Sequence, residues 1–334
     1  MLTDASLTTT DAQLTATAAG ERPLSPELVA GIGAALEASA SKNTQRAYRA
    51  DWSIFAGWCE QEGRCAMPAS PATVAGFLVS ESKVGRSVNT LRRRLATISK
   101  AHKSQVDGQT PTSSELVKST FQGIERQRAE GHGKGAAPIG PRHVLRMVQT
   151  TPRTTRTGLR DRAAVLLALT TGARRSELVA LQVEDIDWTD PRGIVVLIRK
   201  SKTDQTGEGR EVSVTRGRNP ETCPVRTLRA YLEAAGIEEG PVFRSIDRHG
   251  NVGDGMTGRA FAGMVKRAAE RAGMDPSKVS PHGFRAGHVS ARFTAGDGAA
   301  SIMDSTGHKS VAMVKRYDRA SRRFRSDVSG SMGL

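Results

Sequence analysis

Between residues 131 and 141 the chain reads GHGKGAAPIGP, with Gly or Pro at six of eleven positions and no apolar periodicity. A stretch of that kind favours neither helix nor strand, so it separates two folding units. Its glycines also invite a phosphate-loop reading, but no Ser or Thr follows the Gly-Lys pair and no strand precedes it. The linker reading wins. A length of 334 residues agrees with two domains rather than one. The longest apolar run, Ala163–Leu169, is seven residues, against the roughly 20 that a membrane-spanning helix needs.

On the N-terminal side the apolar spacing is helical. Leu28, Ile32 and Leu36 predict a short helix over 25–40, and Tyr48, Trp52, Phe55 and Cys59 predict a stronger one opened by Asn43 or Thr44. An apolar helix around Val74–Val79 follows Pro68 and Pro71. Ser87 or Asn89 then opens a helix with Leu91, Leu95 and Ile98 inward, and a last helix runs near Ser114–Arg128. That pattern turns Arg92, Arg93 and Arg94 outward with Lys100 and Lys103, which makes this helix the candidate for groove or backbone contacts. Residues 1–24, rich in Thr and Ala, read as a tail.

On the C-terminal side, helices near Arg142–Gln149 and Gly158–Thr170 precede three short strands at Val183–Trp188, Ile194–Arg199 and Arg210–Val214. SKTDQTGEG joins the last two. Further helices are predicted at Val225–Ala235, Gly258–Ala272, Gly283–Ala295, Ala299–Ser305 and Val311–Ala320. The expected fold is mainly α with a small antiparallel β-sheet, an all-helical domain over 25–130 followed, after the linker 131–141, by an α+β domain over 142–320 and a tail over 321–334.

Charge narrows the partner. The chain carries 49 Lys+Arg against 34 Asp+Glu, a net of +15. Residues 1–40 hold −4, residues 41–136 hold +7 and residues 137–334 hold +12. Both folding units are therefore basic, as a polyanion partner requires, although solubilising surface charge produces the same count. Aromatic residues at 4% leave few stacking platforms for single strands, so duplex backbone is the better match. Only Cys59, Cys65 and Cys223 occur, without metal-ligand spacing, which indicates neither a disulfide framework nor a zinc site and suits a reducing cytoplasm. An acidic N-terminal segment without an apolar core fits neither a transit peptide nor a secretory signal.

Four places hold groups suited to phosphate chemistry: TTGARRSEL at 170–178, Lys200 and Lys202 in the polar turn, HGFR at 282–285, and TGHKSVAMVKRY at 306–317. Arg174 and Arg175 follow Gly172 at a helix start, where free N–H groups favour anions. His282 and Arg285, three apart, share a helix side. Each alone is an ordinary surface feature. Of three tyrosines, Tyr48 and Tyr231 sit on apolar stripes and read as core, while Tyr317 is flanked by charge.

Their order is more specific than any one of them. Arginine at a GxRxSEL turn, lysine in a hairpin, HxxR, GH, then tyrosine nine residues on resembles the tyrosine recombinase family, the phage-integrase type that includes Cre-like and Xer-like enzymes. The resemblance spans about 140–320; the helical unit matches the family's core DNA-binding domain only by length, helicity and charge. It implies Arg174 and Arg285 as phosphate-clamping arginines, Lys202 as hairpin lysine, His282 and His308 as the site histidines, Tyr317 as nucleophile and Glu177 as the supporting acid. Arg175 stands where the family has an apolar residue, Lys200 competes with Lys202, and His288 is an extra histidine, about 240° round the helix from His282, read as structural.

What the resemblance implies is a 3′-phosphotyrosine intermediate that conserves bond energy and needs no metal, ATP or other cofactor. The partners would be double-stranded recombination sites, bound by a protein that is monomeric alone and tetrameric in synapsis, with the tail over 321–334 docking on a neighbouring subunit. His282 is the first candidate to accept the phenolic proton while His308 bonds the phosphate, and the two roles are exchangeable at this stage. The competing readings are a type IB topoisomerase-like enzyme, which would relax DNA without paired sites, and a catalytically silent DNA-binding protein.

Overall fold

The computed structural model describes Ser25, residues 27–28, Gly31, and residues 42–105, 110–129, 137–199, 209–315 and 317. The tail over 1–24, most of the helix expected over 25–40, the turn at 200–208 with Lys200 and Lys202, and the tail over 321–334 lie outside the described residues. The chain divides into two compact units, residues 1–133 and 134–334.

In the first unit, α1 (Lys42–Gln61), α2 (Pro71–Lys83), α3 (Val88–Gln105) and α4 (Glu115–Ala129) pack together. Local chemistry starts them where it does. Ser70 Oγ accepts the Thr73 N–H and Pro71 fills the first helical position of α2, while Ser87 Oγ accepts the Thr90 N–H at 3.2 Å ahead of α3. Phe55, Phe77, Leu78, Leu91 and Ile98 form the core, with the Phe55 and Phe77 rings edge to face. His102 is sealed inside it: Nε2 accepts the Ala69 N–H at 2.9 Å and Nδ1 faces the Ile98 carbonyl at 2.8 Å.

Arg94 does not turn outward. Three residues after Leu91 it lies on the apolar side of α3, 3% exposed, with its guanidinium paired to Glu81 of α2 and Asp51 of α1. Arg92 and Arg93 are exposed but engaged, Arg92 with Glu125 and Arg93 bidentate with Asp51. Lys100 and Lys103 are exposed, and the Lys100 ammonium stands 5.4 Å from the Tyr48 ring centroid. Tyr48 is thus a half-buried residue rather than a core one, whereas Tyr231 is fully buried.

The second unit runs α5 (Pro141–Gln149), α6 (Arg156–Thr171), α7 (Arg175–Ala180), β1 (Ile186–Asp187), β2 (Gly193–Ile198), β3 (Arg210–Thr215), α8 (Pro224–Ala235), β4 (Arg244–Ile246), β5 (Val252–Gly255), α9 (Gly258–Arg271), α10 (His282–Ala295), α11 (Ala299–Thr306) and α12 (Val311–Lys315). Helix α6 occupies the middle, packed by α5, α8 and α10. Strands β1, β2 and β3 form an antiparallel sheet in that order, with Ile194 opposite Val214 and Val196 opposite Val212. The strand expected over 183–188 shrinks to two residues, because Val183–Asp185 coils into a 3₁₀ turn in which the Asp185 carboxylate accepts the Gln182 N–H. The β4–β5 hairpin escapes the sequence pattern, since RSI and VGDG hold too few apolar residues to alternate.

Part of the Gly/Pro-rich stretch belongs to this unit. Ile139 is 1% exposed, donates its N–H to the Gly283 carbonyl at 2.8 Å, and lies so close to α10 that a Cβ on Gly287 would fall 2.0 Å from its carbonyl oxygen. A separate small cluster of Val289, Phe293, Ile302 and Val314 seats α12.

Candidate active site

Helix α6 ends at Gly172 with φ 59°, a left-handed conformation that glycine adopts without strain. Glycine is also required there by space, because a Cβ would meet the His288 ring at 2.8 Å. The turn presents Arg174 as the residue capping α7. Glu177, three residues in, reaches back, its Oε2 accepting the Arg174 backbone N–H at 2.9 Å and its Oε1 accepting Nη1 at 2.6 Å. This buried carboxylate also receives Nη2 of Arg210, from the first residue of β3, at 2.8 Å. Burial alone would raise the Glu177 pKa, but the Arg210 hydrogen bond and charge, followed by the bonds from Arg174, hold it below the ordinary glutamate value.

Helix α10 supplies the next two groups. Arg285 is 1% exposed and anchored through Nη1 to the Gly172 carbonyl at 3.0 Å and through Nη2 to the Thr306 carbonyl. Desolvation, then the neighbouring Arg174 charge, lowers its pKa to about 10, so it stays cationic at neutral pH. His282, one turn earlier, points Nε2 at the Tyr317 hydroxyl at 3.2 Å. Its pKa falls below the usual imidazole value through burial first and through the Arg285 and Arg174 charges second.

Thr306 ends α11, and its hydroxyl meets His308 Nδ1 at 2.6 Å. Burial and the same arginines push the His308 pKa down to about 4. Tyr317 follows α12. It packs against the Val289–Val314 cluster, and its carbonyl accepts the Ser290 hydroxyl at 3.0 Å. The Tyr317 hydroxyl lies within electrostatic reach of Arg285.

Arg174, Glu177, His282, Arg285, His308 and Tyr317 thus converge from α7, α10, the end of α11 and the end of α12. Arg175 is not part of that group: it is exposed, with its stem against Gly258 at the start of α9. His288 lies across α10 from His282, with Nδ1 on the Leu169 carbonyl at 2.8 Å. Lys200 and Lys202 fall outside the described residues. Arg92, Arg93, Lys100 and Lys103 lie in the other unit, and Arg94, as described above, is a core ion-pair residue. Arg210 is absent from the sequence reading, yet β3 alternation carried a signal: Arg210, Val212 and Val214 share one face, and the two valines are buried.

Among the described residues no group of three or more His, Cys, Asp or Glu is arranged to hold a metal ion, and no helix is long and apolar enough to cross a membrane. A ~780 Å³ groove beside β3 is bordered by Arg210, His288 and Arg292.

Comparison with known proteins gives three concordant results. The sequence profile of the phage integrase family matches residues 139–323. An integrase/recombinase XerD homolog of Selenomonas ruminantium is 31% identical over 300 residues, covering 89% of this chain and 87% of that protein. Among solved structures, the Tn1549 transposon integrase in complex with transposon right-end DNA aligns with a TM-score of 0.62 at 15% identity, covering 83% of this chain and 89% of that one. A lambda integrase dimer bound to a core site aligns at 0.57 and 16% identity, covering 89% of this chain and 75% of that one. At those identities the two structures speak for the fold.

Proposed function

This chain belongs to the phage integrase family of tyrosine recombinases, and on that premise we propose that Tyr317 exchanges strands between duplex DNA sites through a 3′-phosphotyrosine. The observation that carries the residue assignment is the 3.2 Å approach of the Tyr317 hydroxyl to His282 Nε2 beside two arginines anchored from different helices.

The chemistry follows from those groups. The phenolic oxygen attacks phosphorus and its proton passes to neutral His282, whose lowered pKa keeps Nε2 free to accept it. Arg174 and Arg285 hold the non-bridging oxygens as charge accumulates on them. Arg285 retains N–H groups beyond the two it gives to carbonyls. The P–O5′ bond breaks, and Lys202 delivers a proton to the leaving oxygen. A 5′-hydroxyl from a second duplex then attacks the phosphotyrosine, expelling Tyr317 and closing the exchanged strand. One phosphodiester is traded for another, so no external energy enters.

Recombination joins two duplexes, which calls for a homotetramer assembled on paired sites from a DNA-free monomer. The segment over 321–334 is the candidate link between neighbouring subunits. Within the first unit, Lys100 and Lys103 are proposed to meet phosphates, with Arg92 available once its surface ion pair with Glu125 opens, whereas Arg93 is held by the buried Asp51 carboxylate.

Tyr317→Phe is the decisive test. Wild type incubated with its recombination site yields an SDS-resistant protein–DNA adduct, and Y317F yields none while binding the same site. An adduct formed by Y317F overturns the assignment. Relaxation of plasmids lacking a paired site by the wild type would instead favour a topoisomerase.

A further inference from the structure

Arg210 belongs to none of the motifs that define the site, yet it touches two of the segments that build it. It opens β3, eight residues after Lys202 in the chain. Its side chain is 11% exposed. Nη2 donates to Glu177 Oε2 at 2.8 Å, the same oxygen that accepts the Arg174 backbone N–H. Nε donates to the Ser305 carbonyl at 3.0 Å, next to the Thr306 that anchors Arg285 through its carbonyl and His308 through its hydroxyl. Its outer atoms lie 3.6 Å from where a Cβ on Gly307 would sit, so the guanidinium also backs the turn leading into His308.

One planar fork therefore spans the Arg174 turn and the His308 turn, and does so from the strand that receives the lysine hairpin. We propose that Arg210 is a positioning residue for strand cleavage, holding Glu177, and through it Arg174, in one frame with the Thr306–His308 turn. Glu177 is 4% exposed, and its oxygens are divided between Arg174 and Arg210. Without Arg210 the carboxylate loses a charge-assisted partner, and its hold on the Arg174 N–H and guanidinium is no longer fixed in one direction. This two-acceptor geometry needs a guanidinium, because Nε and Nη2 donate from separate, fixed positions in one plane, whereas an ammonium donates from a single nitrogen.

The inference rests on the assignment of Arg174 and Tyr317 above, and one experiment separates the two. Single-turnover adduct formation is measured over a range of DNA-site concentrations for wild type, R210K, R210Q, E177Q and R210Q/E177Q, with melting temperatures recorded in parallel. Absence of an adduct in the wild type sinks the functional reading itself. With the wild type active, R210Q is expected to cleave about 10²-fold more slowly at saturating DNA, the scale of loss from a small misplacement of a catalytic group. Its half-saturating DNA concentration should not change. R210K should recover part of the rate, and the double variant should be no slower than E177Q, because both changes break one chain of contacts. Wild-type cleavage by R210Q, losses that multiply in the double variant, or a fall in DNA affinity that accounts for the whole effect would each overturn the proposal. Should R210Q fail to fold, R210K decides: a slower rate at unchanged DNA affinity supports it, and a wild-type rate refutes it.

Discussion

The two histidines of the site differ in what their ring nitrogens face. Thr306 donates its hydroxyl proton to the Ile302 carbonyl, so toward His308 the same oxygen acts as acceptor. Neutral His308 then keeps its proton on Nδ1 and has a bare Nε2, which donates to a phosphate oxygen only after a second protonation. With its pKa near 4 that happens only when the phosphate's own charge favours it. His282 has no such requirement, because its Nε2 faces the phenol and, in the tautomer with the ring proton on Nδ1, accepts from it. This difference supports the proposal in which His282 takes the proton. The sign of the pH dependence follows. A lowered pKa means that the neutral, proton-accepting form persists as pH falls through 6.5 and is lost only below it. Titration of His282 by imidazole NMR in the DNA-free protein should therefore give a midpoint under 6.5, with the acid limb of the second-order cleavage rate at the same place. A midpoint at or above 6.5 contradicts the assignment.

Between residues and the whole molecule, helix α10 sets the placement of His282 and Arg285, and its seat is glycine. Gly283 and Gly287 lie against Ile139, where a Cβ on Gly287 would sit 2.0 Å from a carbonyl oxygen and 2.8 Å from the Gly140 nitrogen. Backbone cannot yield as a side-chain tip can, so Gly287→Ala displaces α10. It should lower unfolding stability by about 1–3 kcal/mol, as overpacking does, and slow cleavage as His282 and Arg285 shift together. Gly123→Ala in α4 is the control: a Cβ there meets nothing within 4 Å, and a helical alanine in place of glycine should raise stability by up to about 1 kcal/mol. Thermal melts and adduct assays on both variants check the pair; equal behaviour would dismiss α10 seating as the cause. This seat also marks where sequence stops being informative. The motifs around Arg174, His282–Arg285, His308 and Tyr317 are legible because each is a short fixed spacing. By contrast, Ile139 sits in a stretch whose composition says linker, and its burial exists only because α10 offers a glycine face to it. Arg94 misleads for the same reason, since its carboxylate partners come from α1 and α2.

For the molecule as a whole, the excess of positive charge does not say which cations meet DNA, because many arginines are paired with carboxylates within the chain. Arg92, Arg93 and Arg94 face Glu125, Asp51 and Glu81, while Arg153, Arg192, Arg199 and Arg292 each hold a carboxylate of the second unit. Pairs exposed on both sides, such as Arg92–Glu125 and Arg153–Glu221, are worth about 0–1 kcal/mol and yield readily to a phosphate, whereas pairs on a buried carboxylate, such as those of Asp51 and Asp185, do not. Cations on α3 therefore fall into two classes with opposite signatures. Each proposed phosphate contact releases counterions, so removing it should lower the slope of log affinity against log salt by about 0.9. K100Q/K103Q is accordingly expected to bind the site with a slope shallower by about 2 and an unchanged melting temperature. Arg94→Gln should do the reverse. It leaves the Glu81 and Asp51 carboxylates without their buried partner, at a cost of about 3–5 kcal/mol to the folded state, while the salt slope of the protein that remains folded stays at the wild-type value. Affinity measured across a salt series, with melts of both variants, reads the two classes directly. A K100Q/K103Q slope equal to wild type would remove Lys100 and Lys103 from the DNA interface.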